Sequence, residues 1–163
     1  MVRRVKRYCA LGLLVALAGC GDLAEEPALP SNPGYPVAYV LDLMTEGYAL
    51  REPFTMMTIQ EPRHPGDRLG VAGLLVVHTH LTGEETEAYG AFDLACPNEW
   101  PAVVAVEPRG EGTMEVVCPK CGTVYDLTFG AGLPKTGTGR YPLWQYRTTL
   151  RGTILEITNS IGP

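Results

Sequence analysis

The apolar residues of this chain come in short runs, and glycine, proline or charged clusters separate one run from the next: there are 19 Gly and 14 Pro among 163 residues. No run recurs at i, i+3, i+4 and i+7 for more than a turn, so no amphipathic helix is expected. The runs carry β-branched and aromatic residues between Gly, Pro and charged clusters, as strands do. The pattern predicts strands over residues 37–43, 54–60, 71–80, 88–94, 102–107, 113–117, 123–128, 143–149 and 152–158. Turns such as Arg109-Gly110-Glu111-Gly112 separate them, so an all-β, antiparallel sandwich or small barrel is expected. Gly and Pro sit between the apolar runs without replacing them, which argues for a turn-rich globule and against disorder.

The N-terminus is different in kind. Arg3, Arg4, Lys6 and Arg7 precede an apolar run from Tyr8 to Gly19 that is too short to anchor stably across a bilayer. This has the form of a secretory signal, and its end, Leu17-Ala18-Gly19-Cys20, resembles the bacterial lipobox, in which the cysteine is acylated and becomes the new N-terminus. The expected organisation is a leader over 1–19, an acylated Cys20 (a palmitate-type anchor) with a tether over 20–36, and one domain over 37–163. The tether holds Glu25, Glu26 and four prolines and has almost no apolar periodicity, which suits a flexible spacer.

Loss of the leader removes four basic residues and no acidic one, so the formal charge falls from -5 to -9. Phosphate binding needs clustered Lys and Arg, so nucleic acid is not an expected partner. Cys9 leaves with the leader and Cys20 is assigned to the lipid, so Cys96, Cys118 and Cys121 remain. In an oxidising envelope an odd number means one disulfide and a spare thiol, or thiolates held by a metal. Cys118-Pro119-Lys120-Cys121-Gly122 has the form of a metal knuckle, with two sulfurs on one turn and a glycine to tighten it. By itself it is half of a site, open to metal and to disulfide alike.

Two further histidines, His78 and His80, lie two apart on one strand and share a face; they are expected to be a polar strand end more than ligands. His64 is expected in a loop. There is no G-x-S-x-G turn or other nucleophile arrangement, and Gly130-Ala131-Gly132 and Gly137-Thr138-Gly139 precede no helix, so neither acyl transfer nor phosphate binding is expected. Asp93, beside Cys96, could be imagined as a general base but is more simply part of the fold. Trp100, Trp144, Tyr141 and Tyr146 are expected to pack in the core or its rim.

The segments Ala91-Phe92-Asp93-Leu94-Ala95-Cys96-Pro97-Asn98 and Val116-Val117-Cys118-Pro119-Lys120-Cys121-Gly122-Thr123-Val124-Tyr125-Asp126 resemble the cluster-binding region of Rieske iron–sulfur proteins. The resemblance continues through Gly130-Ala131-Gly132-Leu133-Pro134, Pro142-Leu143, Tyr146 and Thr153-Ile154-Leu155-Glu156-Ile157, and covers roughly residues 71–158. With the lipobox and tether, the plan also resembles a group of envelope lipoproteins of Bacteroidetes-type bacteria. The resemblance implies an antiparallel β-sandwich with a small subdomain in which two loops hold a [2Fe-2S] cluster.

It fails at the ligands. The family supplies two cysteines and two histidines as C-x-H and C-x-x-H. Cys96 and Cys118 match the cysteine positions, but Asn98 and Cys121 stand where the histidines belong. Thr123 and Tyr125 keep hydroxyls where the family bonds its cluster sulfur, whereas Glu99 and Lys120 do not supply the extra cysteine pair that braces the loops in some members.

Three states of the site follow: a [2Fe-2S] cluster completed by Asn98 or Glu99, a single zinc or iron on the three cysteines, or a disulfide among them. The missing histidines favour the disulfide and a non-catalytic envelope lipoprotein, anchored in the membrane and facing the periplasm or cell surface, with an envelope protein as partner. The alternative is an electron carrier with an altered cluster or single metal and a redox partner.

Overall fold

The computed structural model describes residues 30, 32–79 and 88–159. The expected leader, Cys20, most of the tether, and His80 lie outside those residues. The described chain is built of antiparallel strands and short 3-10 turns, and no described helix is long and apolar enough to cross a membrane.

The strands are β1 (Val37–Asp42), β2 (Thr55–Ile59), β3 (Arg68–Leu69), β4 (Leu74–His78), β5 (Tyr89–Asp93), β6 (Glu107–Pro108), β7 (Glu115–Val117), β8 (Val124–Asp126), β9 (Leu133–Thr136), β10 (Gln145–Arg151) and β11 (Ile154–Thr158). Seven form one sheet in the order β2-β4-β5-β10-β11-β1-β3, and four form a second in the order β6-β7-β8-β9. The large sheet turns at β10, whose first residues Gln145 and Tyr146 pair with β5 while Arg147 to Arg151 pair with β11.

That turn folds the large sheet over a first core. Val37, Tyr39 and Leu41 of β1 and Leu155 and Ile157 of β11 meet Leu74 and Val76 of β4, Ala91 of β5 and Tyr146 of β10. Alternation is clear in β1, where Val37, Tyr39 and Leu41 are buried and Ala38 and Val40 are exposed. The β4 run Leu74-Leu75-Val76-Val77 shows none, because all four residues are buried. Leu75 and Val77, with Phe92 of β5, turn the other way and pack on Val116, Tyr125 and Leu127 of the small-sheet region, making a second core. A continuous apolar run is what a strand covered on both faces requires, and each such side chain contributes about 1.5–3 kcal/mol.

Two expected strands are shortened and two further strands are added. The strand expected over 71–80 begins at Leu74, because the Val71 and Ala72 amides donate to the Asp93 carboxylate and not to a neighbouring strand. The one expected over 102–107 shrinks to Glu107–Pro108 and an isolated Ala95–Ala105 bridge. The two-residue β3 was not anticipated, since its two residues carry no period. Nor was β9: Pro134 argues against a strand, but β9 is the outer strand of the small sheet, where a missing N–H is tolerated, and a bulge at Lys135 takes up the register.

Asp93 is the buried polar group on which this part of the frame converges. Its carboxylate is fully buried and accepts from Val71 N at 2.7 Å, Ala72 N at 3.1 Å, Ala95 N at 2.7 Å and Tyr146 Oη at 2.5 Å. All four donors are structural, so Asp93 fixes the start of β4, the end of β5 and the first cysteine loop together. Burial first, and then the Asp93 carboxylate beside it, push the Tyr146 hydroxyl far above its ordinary pKa, which keeps it a donor.

Candidate metal centre

The first cysteine loop leaves the end of β5. Cys96 N donates to Val104 O at 2.8 Å and Val106 N to Leu94 O at 2.8 Å, so the segment expected as a strand over 102–107 serves to hold the Cys96 backbone. Pro97–Glu99 then form a 3-10 turn. The second loop is the connection between β7 and β8. Cys118 N donates to Thr123 O and Gly122 N to Cys118 O, each at 2.9 Å, and Gly122 closes the turn at φ +68° with open space around it. A Cβ in that left-handed conformation would be strained even without a clash.

The two loops bring Cys96, Cys118 and Cys121 together, with all three sulfurs within 4.8 Å of one another. Cys96 and Cys118 are buried and Cys121 is half-buried; all three are free thiols, and Cys96 Sγ lies 3.8 Å from Cys121 Sγ. Each of these two sulfurs has a hydroxyl beside it: Tyr125 Oη is 3.1 Å from Cys96 Sγ, and Thr123 Oγ1 is 3.1 Å from Cys121 Sγ.

Asn98 does something other than face this centre. Its Oδ1 accepts from Arg140 N at 2.8 Å and Tyr141 N at 3.1 Å, and its Nδ2 donates to Tyr125 Oη at 2.6 Å and Tyr141 O at 3.3 Å. The side chain thus ties a third loop, residues 137–141, to the two cysteine loops. Gly139 in that loop passes so close that a Cβ there would stand 2.5 Å from Thr123 Oγ1 and 2.6 Å from Asn98 Nδ2. The sequence signal for this third loop was the Gly137-Thr138-Gly139 run, whose glycines serve close approach to side chains.

Glu99 and Lys120 form an ion pair at 2.5 Å across the two cysteine loops. Lys120 is well exposed, so the pair contributes little to stability; Glu99 raises the Lys120 ammonium above its ordinary pKa through their hydrogen bond. Among the described histidines, His78 is at the far end of β4, stacked on Tyr89 at 4.5 Å, and His64 lies in a loop beside Asp67. Trp100 and Trp144 pack edge to face at 5.6 Å, and the Trp144 indole donates to Pro30 O at 2.8 Å.

A two-iron cluster with two imidazole ligands does not fit these residues. Neither described histidine is at the site, Asn98 Oδ1 is occupied by two backbone amides, and Glu99 is paired with Lys120. The donor set is three thiols.

The thiols differ in reactivity. Burial, opposed by the Tyr125 hydroxyl, pushes Cys96 up to about 12. Burial also raises Cys121, but the Thr123 hydroxyl and amide, with the neighbouring thiols, outweigh it and leave Cys121 below the ordinary thiol value. Since the thiolate is the nucleophile, iodoacetamide at neutral pH is expected to alkylate Cys121 on the order of 100-fold faster than Cys96 in the reduced, metal-free protein. Peptide mass spectrometry over a time course checks this, and equal rates would contradict the asymmetry.

No family model and no curated protein matches the chain. Among solved structures it is similar to the ferredoxin of carbazole 1,9a-dioxygenase from Nocardioides aromaticivorans IC177, with 16% identity and a TM-score of 0.46 over 77% of this chain and 99% of that one. It is also similar to a protein described as a nitrite reductase NADPH small-subunit oxidoreductase, with 14% identity and a TM-score of 0.37 over 74% of this chain and 97% of that one.

Proposed function

We propose that this chain is a lipid-anchored bacterial envelope protein whose Rieske-like β-domain has lost the two-iron cluster and works as a non-catalytic structural or partner-binding module. The observation that carries this is Asn98. At the position where the resemblance calls for a histidine ligand, the side chain makes four hydrogen bonds inside the protein and has no acceptor left for iron. The anchor rests on the leader and the Leu17-Ala18-Gly19-Cys20 motif, and orientation toward the periplasm or cell surface follows from it.

An electron-transfer role on an altered centre is the second reading. What favours it is the pair of hydroxyls, Thr123 and Tyr125, each 3.1 Å from a cysteine sulfur, where such groups tune redox centres.

The test is iron, labile sulfide and N-terminal mass on the protein extracted anaerobically from bacterial envelopes. The first reading expects no labile sulfide and an acylated Cys20. Two irons with two sulfides per chain would overturn the loss of the cluster, and an unmodified N-terminus at Cys20, or a retained leader, would remove the anchor.

A further inference from the structure

We propose that Cys96, Cys118 and Cys121 form a mononuclear site for one thiophilic divalent cation of the zinc class, with three thiolate ligands and a fourth position open to solvent. The inference rests on the reading that the two-iron cluster is lost, and it assigns what takes its place.

The spacing of the sulfurs is the first argument. A tetrahedral ion with metal–sulfur bonds of about 2.3 Å needs its ligand sulfurs ~3.8 Å apart. Cys96 and Cys121 stand 3.8 Å apart, and no pair in the triad exceeds 4.8 Å. Cys118 Sγ lies within 4.8 Å of both. Among the described residues no His, Asp or Glu joins this group, so three protein ligands and an open position is the coordination available.

The hydroxyls beside the sulfurs also suit anionic ligands. Thr123 Oγ1 accepts from Gly139 N at 2.8 Å and from the neutral Cys121 thiol at 3.1 Å; once Cys121 loses its proton, the threonine hydroxyl is the group beside it that can donate in return. Tyr125 Oη accepts from Asn98 Nδ2 at 2.6 Å, which leaves its proton for Cys96 Sγ at 3.1 Å. Each hydroxyl accepts an N–H from the protein and has a cysteine sulfur 3.1 Å away that its own proton can reach. Such donors stabilise anionic sulfur. A neutral thiol donates to such a hydroxyl, as Cys121 does to Thr123, and a thiolate on a cation accepts from it, so both hydroxyls can stay paired when the thiols ionise. Binding would release one proton per thiol to solvent. Three thiolates on a dication leave one net negative charge, with the ammonium of Lys120 on the same loop.

The test uses the full processed protein, solubilised from envelopes in detergent, reduced and freed of metal. Zinc titrated against a chromophoric competitor is expected to bind one ion per chain, and cobalt to give intense sulfur-to-metal charge-transfer absorption with tetrahedral visible bands. Cys121→Ser, at the half-buried ligand, abolishes that charge-transfer pattern for three thiolates. Thr123→Val, which keeps the buried volume, is expected to weaken zinc about 10- to 100-fold. Absence of zinc binding in folded protein, cobalt spectra without sulfur ligation, or zinc binding unchanged in Cys121→Ser would each overturn the proposal. So would native protein isolated without reductant that carries no metal and a Cys96–Cys121 disulfide. Labile sulfide, by contrast, would remove the underlying reading of cluster loss, so the two failures are distinct.

Discussion

Replacing Asp93 by asparagine is expected to cost the domain about 3–5 kcal/mol, most or all of the stability of a typical domain at the low end of the range. The side chain is nearly isosteric, so the loss is electrostatic. Four donors converge on the carboxylate, two on each oxygen: Val71 N and Tyr146 Oη on Oδ2, Ala72 N and Ala95 N on Oδ1. An amide presents one oxygen and one NH2: turned one way, its NH2 opposes the Ala72 and Ala95 amides, and turned the other way it opposes the Val71 amide and forces Tyr146 Oη to accept instead of donate. Hydrogen bonds to a charged acceptor are each worth about 1.5–3 kcal/mol, and orphaned donors add their own desolvation cost. Urea unfolding followed by tryptophan fluorescence measures this. Tyr146→Phe removes a single donor and is expected to cost about 1–2 kcal/mol; a loss below about 1 kcal/mol in Asp93→Asn would mean that the carboxylate is not the keystone described.

Asn98→Ala is expected to cost about 2–4 kcal/mol and to loosen the site locally. The substitution strips the amides of Arg140 and Tyr141 of their acceptor and the buried Tyr125 hydroxyl of its donor. Asn98→Asp separates the two halves of the effect. It keeps the acceptor for the two amides and loses the donor to Tyr125 and Tyr141 O, so about half the loss is expected. Amide hydrogen exchange at Arg140 and Tyr141 should accelerate in the alanine variant and much less in the aspartate variant. Equal exchange in both would show that the third loop is held by something other than Asn98.

The strand pattern and the cysteine loops were legible in the sequence for different reasons. Val37, Tyr39 and Leu41 alternate with exposed residues, and Leu74 to Val77 form an unbroken run, so both strands announce themselves by burial pattern. β9 does not, because Pro134 obeys a rule for inner strands and β9 is an outer one. Cys96, Cys118 and Cys121 are found from spacing because sulfur ligands sit on short turns of fixed length. The part played by Asn98 is not found that way. Its partners Arg140 and Tyr141 lie more than forty residues downstream, and their contribution is backbone N–H, which every non-proline residue carries. Likewise Glu99, considered as an oxygen ligand, is held by Lys120, a contact that depends on how the two loops are set against each other.

β4 and β5 behave as a party wall between two rooms. Leu74 and Val76 furnish one side, Leu75, Val77 and Phe92 the other, and the thiols belong to the second room with Val116, Tyr125 and Leu127 around them. The apolar side chains on that side, and Asp93 within the wall, anchor the cysteine loops from beneath. A chamber secured in this way keeps its shape while its three sulfurs change state, so the chemistry at the thiols can vary without the fold having to follow.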